Sequence, residues 1–302
     1  MMQAAVRDSI GGAWQVVERG GARDQLGEGL LWSPREGALY WTDIVGQKLH
    51  RLTLEGGALT SWDMPQMIGW VIGRASQDGF IAGLKSGFHE LRLSGREVQL
   101  THIADPHGGG EHDLRMNDAK ADAQGRIWAG SMSVNADRPA GSLFRLDPDR
   151  TVRTMDDHPY IVANGPAIAP DGRTFYHTDT GLGVVFRFTL GKDGSLTQRR
   201  EFIRFADLCG RPDGMTVDAE GCLWVAHWGG GRVTRFTPEG ERERAYALPA
   251  SQITNVSFAG PDCDRLFVTS AAEGRGDEPL AGALFEINTG GICGLPPQLY
   301  GG

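Results

Sequence analysis

Four side chains with oxygen donors stand at closely matched distances ahead of aromatic residues in this 302-residue chain. Glu28 lies 13 residues before Trp41, Asn117 11 before Trp128, Asn164 12 before Tyr176 and Asp213 11 before Trp224. Two carboxylates and two amides from separate segments form an oxygen-rich set suited to a hard divalent cation, provided that the fold gathers them. Each residue alone is an ordinary turn former; the equivalence of position carries the argument. Their neighbours Gly27, Gly29, Gly165, Pro166, Pro212 and Gly214 are backbone-permissive or rigid residues.

The elements that would gather them form an internal repeat. A turn rich in Gly and Asp followed by a short apolar-aromatic strand recurs around Trp41, Ile81, Trp128, Tyr176, Trp224 and Phe267. The separations are 40, 47, 48, 48 and 43 residues. A second strand with period-2 alternation follows each copy, as in His50-Arg51-Leu52, Phe144-Arg145-Leu146 and Phe186-Arg187-Phe188, and runs into turn residues. Six such units predict an all-β fold: a six-bladed β-propeller of four-stranded antiparallel blades, with residues 1–302 as a single domain. The strand before each Gly/Asp turn would be innermost, and a segment such as 201–205 outermost. The 13–18 segment is predicted to supply the missing outer strand of the last blade and close the ring, which removes open edges. In such a ring the four oxygen donors converge on one end of the central channel.

Composition narrows the partners. The 44 glycines fit many tight turns. A net charge of −8 and a pI of about 5.5 argue against nucleic-acid or anionic-membrane partners. Residues 1–12 show no apolar signal segment and no stretch reaches membrane-spanning length, so a cytoplasmic location is expected. Cys209, Cys222, Cys263 and Cys293 form no CxxC pair, which removes zinc-finger and thioredoxin readings and predicts buried free thiols. Oligomeric state is not readable.

The segments Leu26-Gly27-Glu28-Gly29-Leu30-Leu31-Trp32, Arg115-Met116-Asn117-Asp118-Ala119-Lys120, Asn164-Gly165 with Pro170-Asp171-Gly172, and Arg211-Pro212-Asp213-Gly214-Met215 occur in this order between about residues 26 and 275. Together they resemble the SMP-30/gluconolactonase/regucalcin-like family, and NGPAIAPDGRTFYHTDT and VAHWGGGRV look most like bacterial xylono- and arabinonolactonases. The resemblance implies one divalent metal (Ca, Zn, Mn, Mg or Fe(II)) held by Glu28, Asn164 and Asp213. It also implies substrate contacts from Arg115 and Asn117, and Asp213 as general base. The implied substrate is a small sugar lactone, hydrolysed to its aldonic acid. Two alternatives share this first set of residues: a hydrolase of another ester or an organophosphate, and a non-catalytic metal-binding propeller. The sequence departs from the family at Leu30, at Ala119 and at Asn135, where some relatives carry an acidic substrate-binding residue.

Loops expected around the site mouth contain Lys85, residues 131–141, Asp179, His227 and Trp228. The 131–141 loop is predicted to be a lid, with Asn135 and Met132 contacting substrate. His102, His107 and His112 fit no zinc pattern and read as a solvated loop. Trp32, Trp41, Trp128 and Trp224 read as packing between blades.

Overall fold

The computed structural model describes residues 13–109, 113–205 and 210–302. The expectations placed on residues 1–12, Glu111, His112 and Cys209 lie outside the described residues.

Strand β1 (Trp14–Val16) opens the described chain. Blade one is β2 (Gly27–Ser33), β3 (Ala38–Asp43), β4 (Lys48–Thr53) and β5 (Leu59–Asp63). Blade two is β6 (Ile68–Gly73), β7 (Phe80–Leu84), β8 (Gly87–Ser94) and β9 (Glu97–Ala104). Blade three is β10 (Leu114–Ala121), β11 (Ile127–Ser133), β12 (Gly141–Leu146) and β13 (Val152–Tyr160). Blade four is β14 (Ala163–Ile168), β15 (Thr174–Asp179), β16 (Val184–Leu190) and β17 (Leu196–Arg204). Blade five is β18 (Arg211–Val217), β19 (Leu223–Trp228), β20 (Arg232–Phe236) and β21 (Arg242–Ala247). Blade six contains β22 (Ile253–Ala259), β23 (Arg265–Ser270) and β24 (Phe285–Ile287), and β1 is its fourth strand. The six sheets are antiparallel meanders, giving a six-bladed β-propeller with no α-helix among the described residues.

Trp14, Gln15 and Val16 pair with Ile287, Glu286 and Phe285, so the N-terminal strand completes the last blade. The C-terminal tail adds a second tie at the opposite end of the channel. Tyr300 is buried, pairs with Arg74 and donates its hydroxyl to Asp147 O at 2.9 Å.

The core lies between the blades. Each sheet buries both faces, so second strands such as β3, β11 and β15 are buried along their whole length and lose the alternation of a half-exposed strand. Trp32, Trp41, Trp224, Phe258, Phe267 and Phe285 form one continuous cluster across blades five, six and one. The indoles also carry a donor that needs a partner when buried. Trp128 donates to Asp122 and Trp224 to Asp218, each at 2.8 Å, whereas Trp41 uses Asp24 at 3.0 Å.

Every inner strand breaks its register near the channel mouth. The irregularities fall between Glu28 and Leu31, Ile68 and Trp70, Met116 and Ala119, Asn164 and Ala167, Pro212 and Met215, and Ile253 and Val256. Such bulges bend a strand and re-aim the side chains beside them. The inner strands also approach closely there: a Cβ on Gly69 would lie 2.5 Å from Asn117 O, and one on Gly214 2.5 Å from Asn255 Nδ2.

Candidate active site and metal centre

The bulges bring Glu28, Arg115, Asn117, Asn164 and Asp213 into one buried group, none more than 6% exposed. Two amides link blades three and four: Asn117 Nδ2 donates to Asn164 Oδ1 at 2.8 Å and to Ala163 O at 2.9 Å. Asn164 in turn donates to Thr180 Oγ1 at 2.8 Å. Arg115 Nη1 donates to Asn117 Oδ1 at 2.6 Å, so the oxygen of Asn117 faces a guanidinium. Glu28 Oε2 accepts from Gly29 N at 3.0 Å and from Asn255 Nδ2 at 2.9 Å.

Two members of this group were missed in the sequence. Asp118 is 1% exposed and accepts from Ala119 N at 2.8 Å and, across the blade boundary, from Gly165 N at 3.0 Å. Asn255 is fully buried, and its Nδ2 lies 3.4 Å from Asp118 Oδ2 as well as against Glu28. Blade six thereby meets blade three across the channel. The signal for Asn255 was available: it stands 12 residues before Phe267, the same offset as Asn164 from Tyr176. Asp118 was masked by its neighbour Asn117, which filled the expected position.

Electrostatics make the group unusual. Burial is the largest influence on Glu28, Asp118 and Asp213, and it raises the pKa of each. The charge on Asp118 raises Glu28 further, and the charges on Glu28 and Asp118 raise Asp213. Burial lowers Arg115 to about 10, opposed by Glu28, Asp213 and Glu273, so it stays cationic at neutral pH. Ionising all three buried carboxylates against one buried guanidinium would leave negative charge uncompensated, which is costly in a low-dielectric interior. Asn255 Oδ1 is also buried without a hydrogen-bond partner.

This donor set fits a divalent cation. Among the described residues no three His, Cys, Asp or Glu side chains are grouped to hold a metal by themselves. A cation here would therefore combine two carboxylates with amide oxygen, the pattern of hard, oxygen-preferring ions.

The predicted mouth residues divide. Met132 is buried and lies opposite Arg115 in the β10–β11 ladder, so it backs the arginine strand. Asn135 is exposed and is not drawn into the buried group. The expected 131–141 lid is shorter than its sequence suggested, because Ser131, Met132 and Ser133 complete β11 and Gly141 begins β12. What remains, residues 134–140, is tethered through Arg138 to Asp113 at 2.6 Å and Val134 N to Asp113 O at 2.7 Å. The longer loop on this face is residues 271–284 of blade six.

Asp179 anchors its own turn, accepting from Ile161 N, Leu182 N and the His158 ring, each at 3.2 Å. His227 is buried with its ring 4.6 Å from that of Phe205. Trp228 and Lys85 are half-buried at strand ends. His102 packs edge-on to His89 and His107 to Phe144. Cys222 and Cys263 are buried free thiols, while Cys293 is only half-buried.

The fold and site define a six-bladed β-propeller with buried oxygen donors converging at one end of its channel. This chain belongs to the SMP-30/gluconolactonase/LRE-like family, whose profile matches residues 26–272. It is 38% identical over 285 residues to a 6-deoxy-6-sulfogluconolactonase of Pseudomonas putida, covering 92% of this chain and 95% of that protein. It is 36% identical over 276 residues to the pentonolactonase XacC of Haloferax volcanii, covering 87% and 91%. The crystal structure of a calcium-binding protein, regucalcin, from Agrobacterium tumefaciens superposes with a TM-score of 0.87 at 29% identity, covering 94% and 96%.

Proposed function

We propose that the chain is a divalent-metal-dependent lactonase that opens a small sugar lactone to its aldonic acid. The observation that carries this reading is the buried group itself. Glu28, Asp118 and Asp213 share one channel mouth with Arg115 as the buried countercharge. The names of the P. putida and H. volcanii relatives support the substrate class.

In this reading Glu28, Asn164 and Asp213 hold the cation, and Asn117 stands beside it because its oxygen already faces the positive charge of Arg115. When bound, the cation supplies Lewis acidity toward the lactone carbonyl and acidifies water. Arg115 orients the carbonyl and stabilises the negative charge that develops on its oxygen. Asp213 accepts the proton of the attacking water as the new carbon–oxygen bond forms. The ring ester bond then breaks, and the same proton returns to the departing ring oxygen, leaving a hydroxyl and a carboxylic acid.

The all-oxygen donor set favours calcium, magnesium or manganese, with zinc and iron(II) also compatible. The free thiols Cys222, Cys263 and Cys293 fit a reducing compartment such as the cytoplasm. No helix among the described residues is long and apolar enough to cross a membrane. Residues 1–302 act as one unit, since β1 completes the blade that ends with β24.

The test is pH-stat hydrolysis of five- and six-carbon aldonolactones and of a phosphotriester by metal-stripped protein reconstituted with single ions. Lactone turnover restored by at least one ion is expected. Turnover of the phosphotriester alone, or of neither under every ion, overturns the reading.

A further inference from the structure

The loop of residues 271–284, between β23 and β24, brings Glu273 to the rim of the channel end that holds the buried group. Ala271 pairs with Leu26, two residues before Glu28, and Glu273 N donates to Gln25 O at 3.1 Å. The loop is clamped beyond that point: Asp24 N donates to Gly282 O at 2.9 Å, Arg19 Nη2 to the same oxygen at 2.7 Å, and a Cβ on Gly282 would lie 2.3 Å from Asp24 O. Glu273 therefore rides on a fixed rim, not on a mobile flap. Its side chain is exposed and makes no hydrogen bond or ion pair among the described residues.

The direction in which it acts follows from ring order. Inner strands contact their neighbours in the order one, two, three, four, five, six and back to one, so blade six faces blade three. Glu273 belongs to blade six and Arg115 to blade three, yet the charge of Glu273 acts on Arg115. Glu273 and Arg115 thus stand on opposite sides of the ring, with the Glu273 loop bound to the strand that begins beside Glu28. Elsewhere on the same loop, Arg275 faces Glu278 at 4.0 Å, and Glu278 accepts from Ser251 N at 2.7 Å. Arg275 is thus paired within the loop by Glu278, and not by Glu273.

We propose that Glu273 is a specificity-determining residue: its carboxylate accepts hydrogen bonds from hydroxyls of an uncharged sugar lactone whose carbonyl lies at Arg115, and it disfavours lactones carrying an anionic substituent at the far end. A carboxylate is acceptor-only and matches paired sugar hydroxyls, whereas a phosphate or sulfonate offers it like charge without a donor. The inference rests on the lactonase reading and narrows it to neutral substrates.

The experiment compares wild type, Glu273→Gln and Glu273→Lys, all saturated with the activating ion, on glucono-δ-lactone and 6-phosphoglucono-δ-lactone at low and high salt. The preference for the neutral lactone, taken as a ratio of kcat/KM values, is expected to fall about fivefold in Glu273→Gln, as for one exposed charge pair. It should fall further in Glu273→Lys, mainly through KM, and the differences should shrink at high salt. A merely structural role would slow both lactones together, and a ratio unchanged within about twofold in both variants overturns the inference. If wild type hydrolyses neither lactone, the lactonase reading itself fails, an outcome separate from an unchanged ratio.

Discussion

The side chains of Asn117 and Asn164, 47 residues apart and on neighbouring blades, are joined directly by a 2.8 Å hydrogen bond from Nδ2 to Oδ1. The bond fixes both amides. Asn117 Oδ1 accepts from the cationic guanidinium of Arg115, whereas Asn164 Oδ1 accepts from a neutral amide and Asn164 Nδ2 donates to Thr180, so the oxygen of Asn164 is the one that can meet a cation without a positive charge already against it. Two chemically identical residues are thereby given different tasks by their partners.

Asp213→Asn keeps the shape of the side chain and removes its basicity. Lactone kcat should fall by roughly 100-fold or more, while the far-ultraviolet circular dichroism stays that of wild type. Retained turnover would remove Asp213 from the proton transfer.

Asn255→Ala removes the amide that spans Glu28 and Asp118 at 2.9 and 3.4 Å. Groups that orient metal ligands typically contribute about 10- to 100-fold in metal affinity. Titration of stripped variant protein with the activating ion should show a loss in that range, with kcat at saturating metal much less affected.

Metal-stripped protein should lose stability as pH rises from about 4 toward 8. Glu28 rises to about 8 and Asp118 to about 6 in the folded protein, mainly through burial, and Asp213 rises with them. Their folded pKa values exceed the unfolded ones, so the native state binds more protons through this window and stability falls with increasing pH. A divalent cation should reverse the trend, stabilising most where the carboxylates are ionised. Thermal melts at pH 5 and 8, with and without metal, check the sign.

Gly69→Ala tests the close approach of blades two and three. Its new Cβ would meet Asn117 O at 2.5 Å, so β10 must shift, at a cost of about 1–3 kcal/mol together with reduced turnover. Gly276→Ala, where a Cβ meets nothing within 4 Å, is the matched control. Urea unfolding of the pair measures the difference.

Asp218 is a structural anchor remote from this chemistry. It accepts from Glu220 N and Cys222 N at 3.0 Å and from Trp224 Nε1 and Arg235 Nε at 2.8 Å. Asp218→Ala leaves the Trp224 indole donor and Arg235 Nε without their acceptor, although Arg235 keeps Glu220 and Glu243, and should cost about 1–3 kcal/mol. Metal affinity measured below the melting temperature should stay unchanged.

The blades were legible because their determinants are local. Turn residues, aromatic strands and period-2 alternation repeat around Trp41, Ile81, Trp128, Tyr176, Trp224 and Phe267, and each repeat states its own strands. Glu28, Asn117, Asn164 and Asp213 were legible for the same reason, as positions counted from those strands. The sequence could not state which side of a bulge each donor falls on, and in a strand a one-residue offset turns a side chain to the opposite face. Asp118 shares a bulge with Asn117, and only the folded register brings both of them into the site. Contacts across the ring lay further out of reach. Asn255 against Asp118, and Glu273 acting on Arg115, join blade six to blade three, a proximity created by closing the circle and absent from any single repeat. The sequence by itself determined the blades and most donors; closure of the ring decided which donors share their charge, and the folded register of β10 and β14 decided which amide oxygen faces a guanidinium.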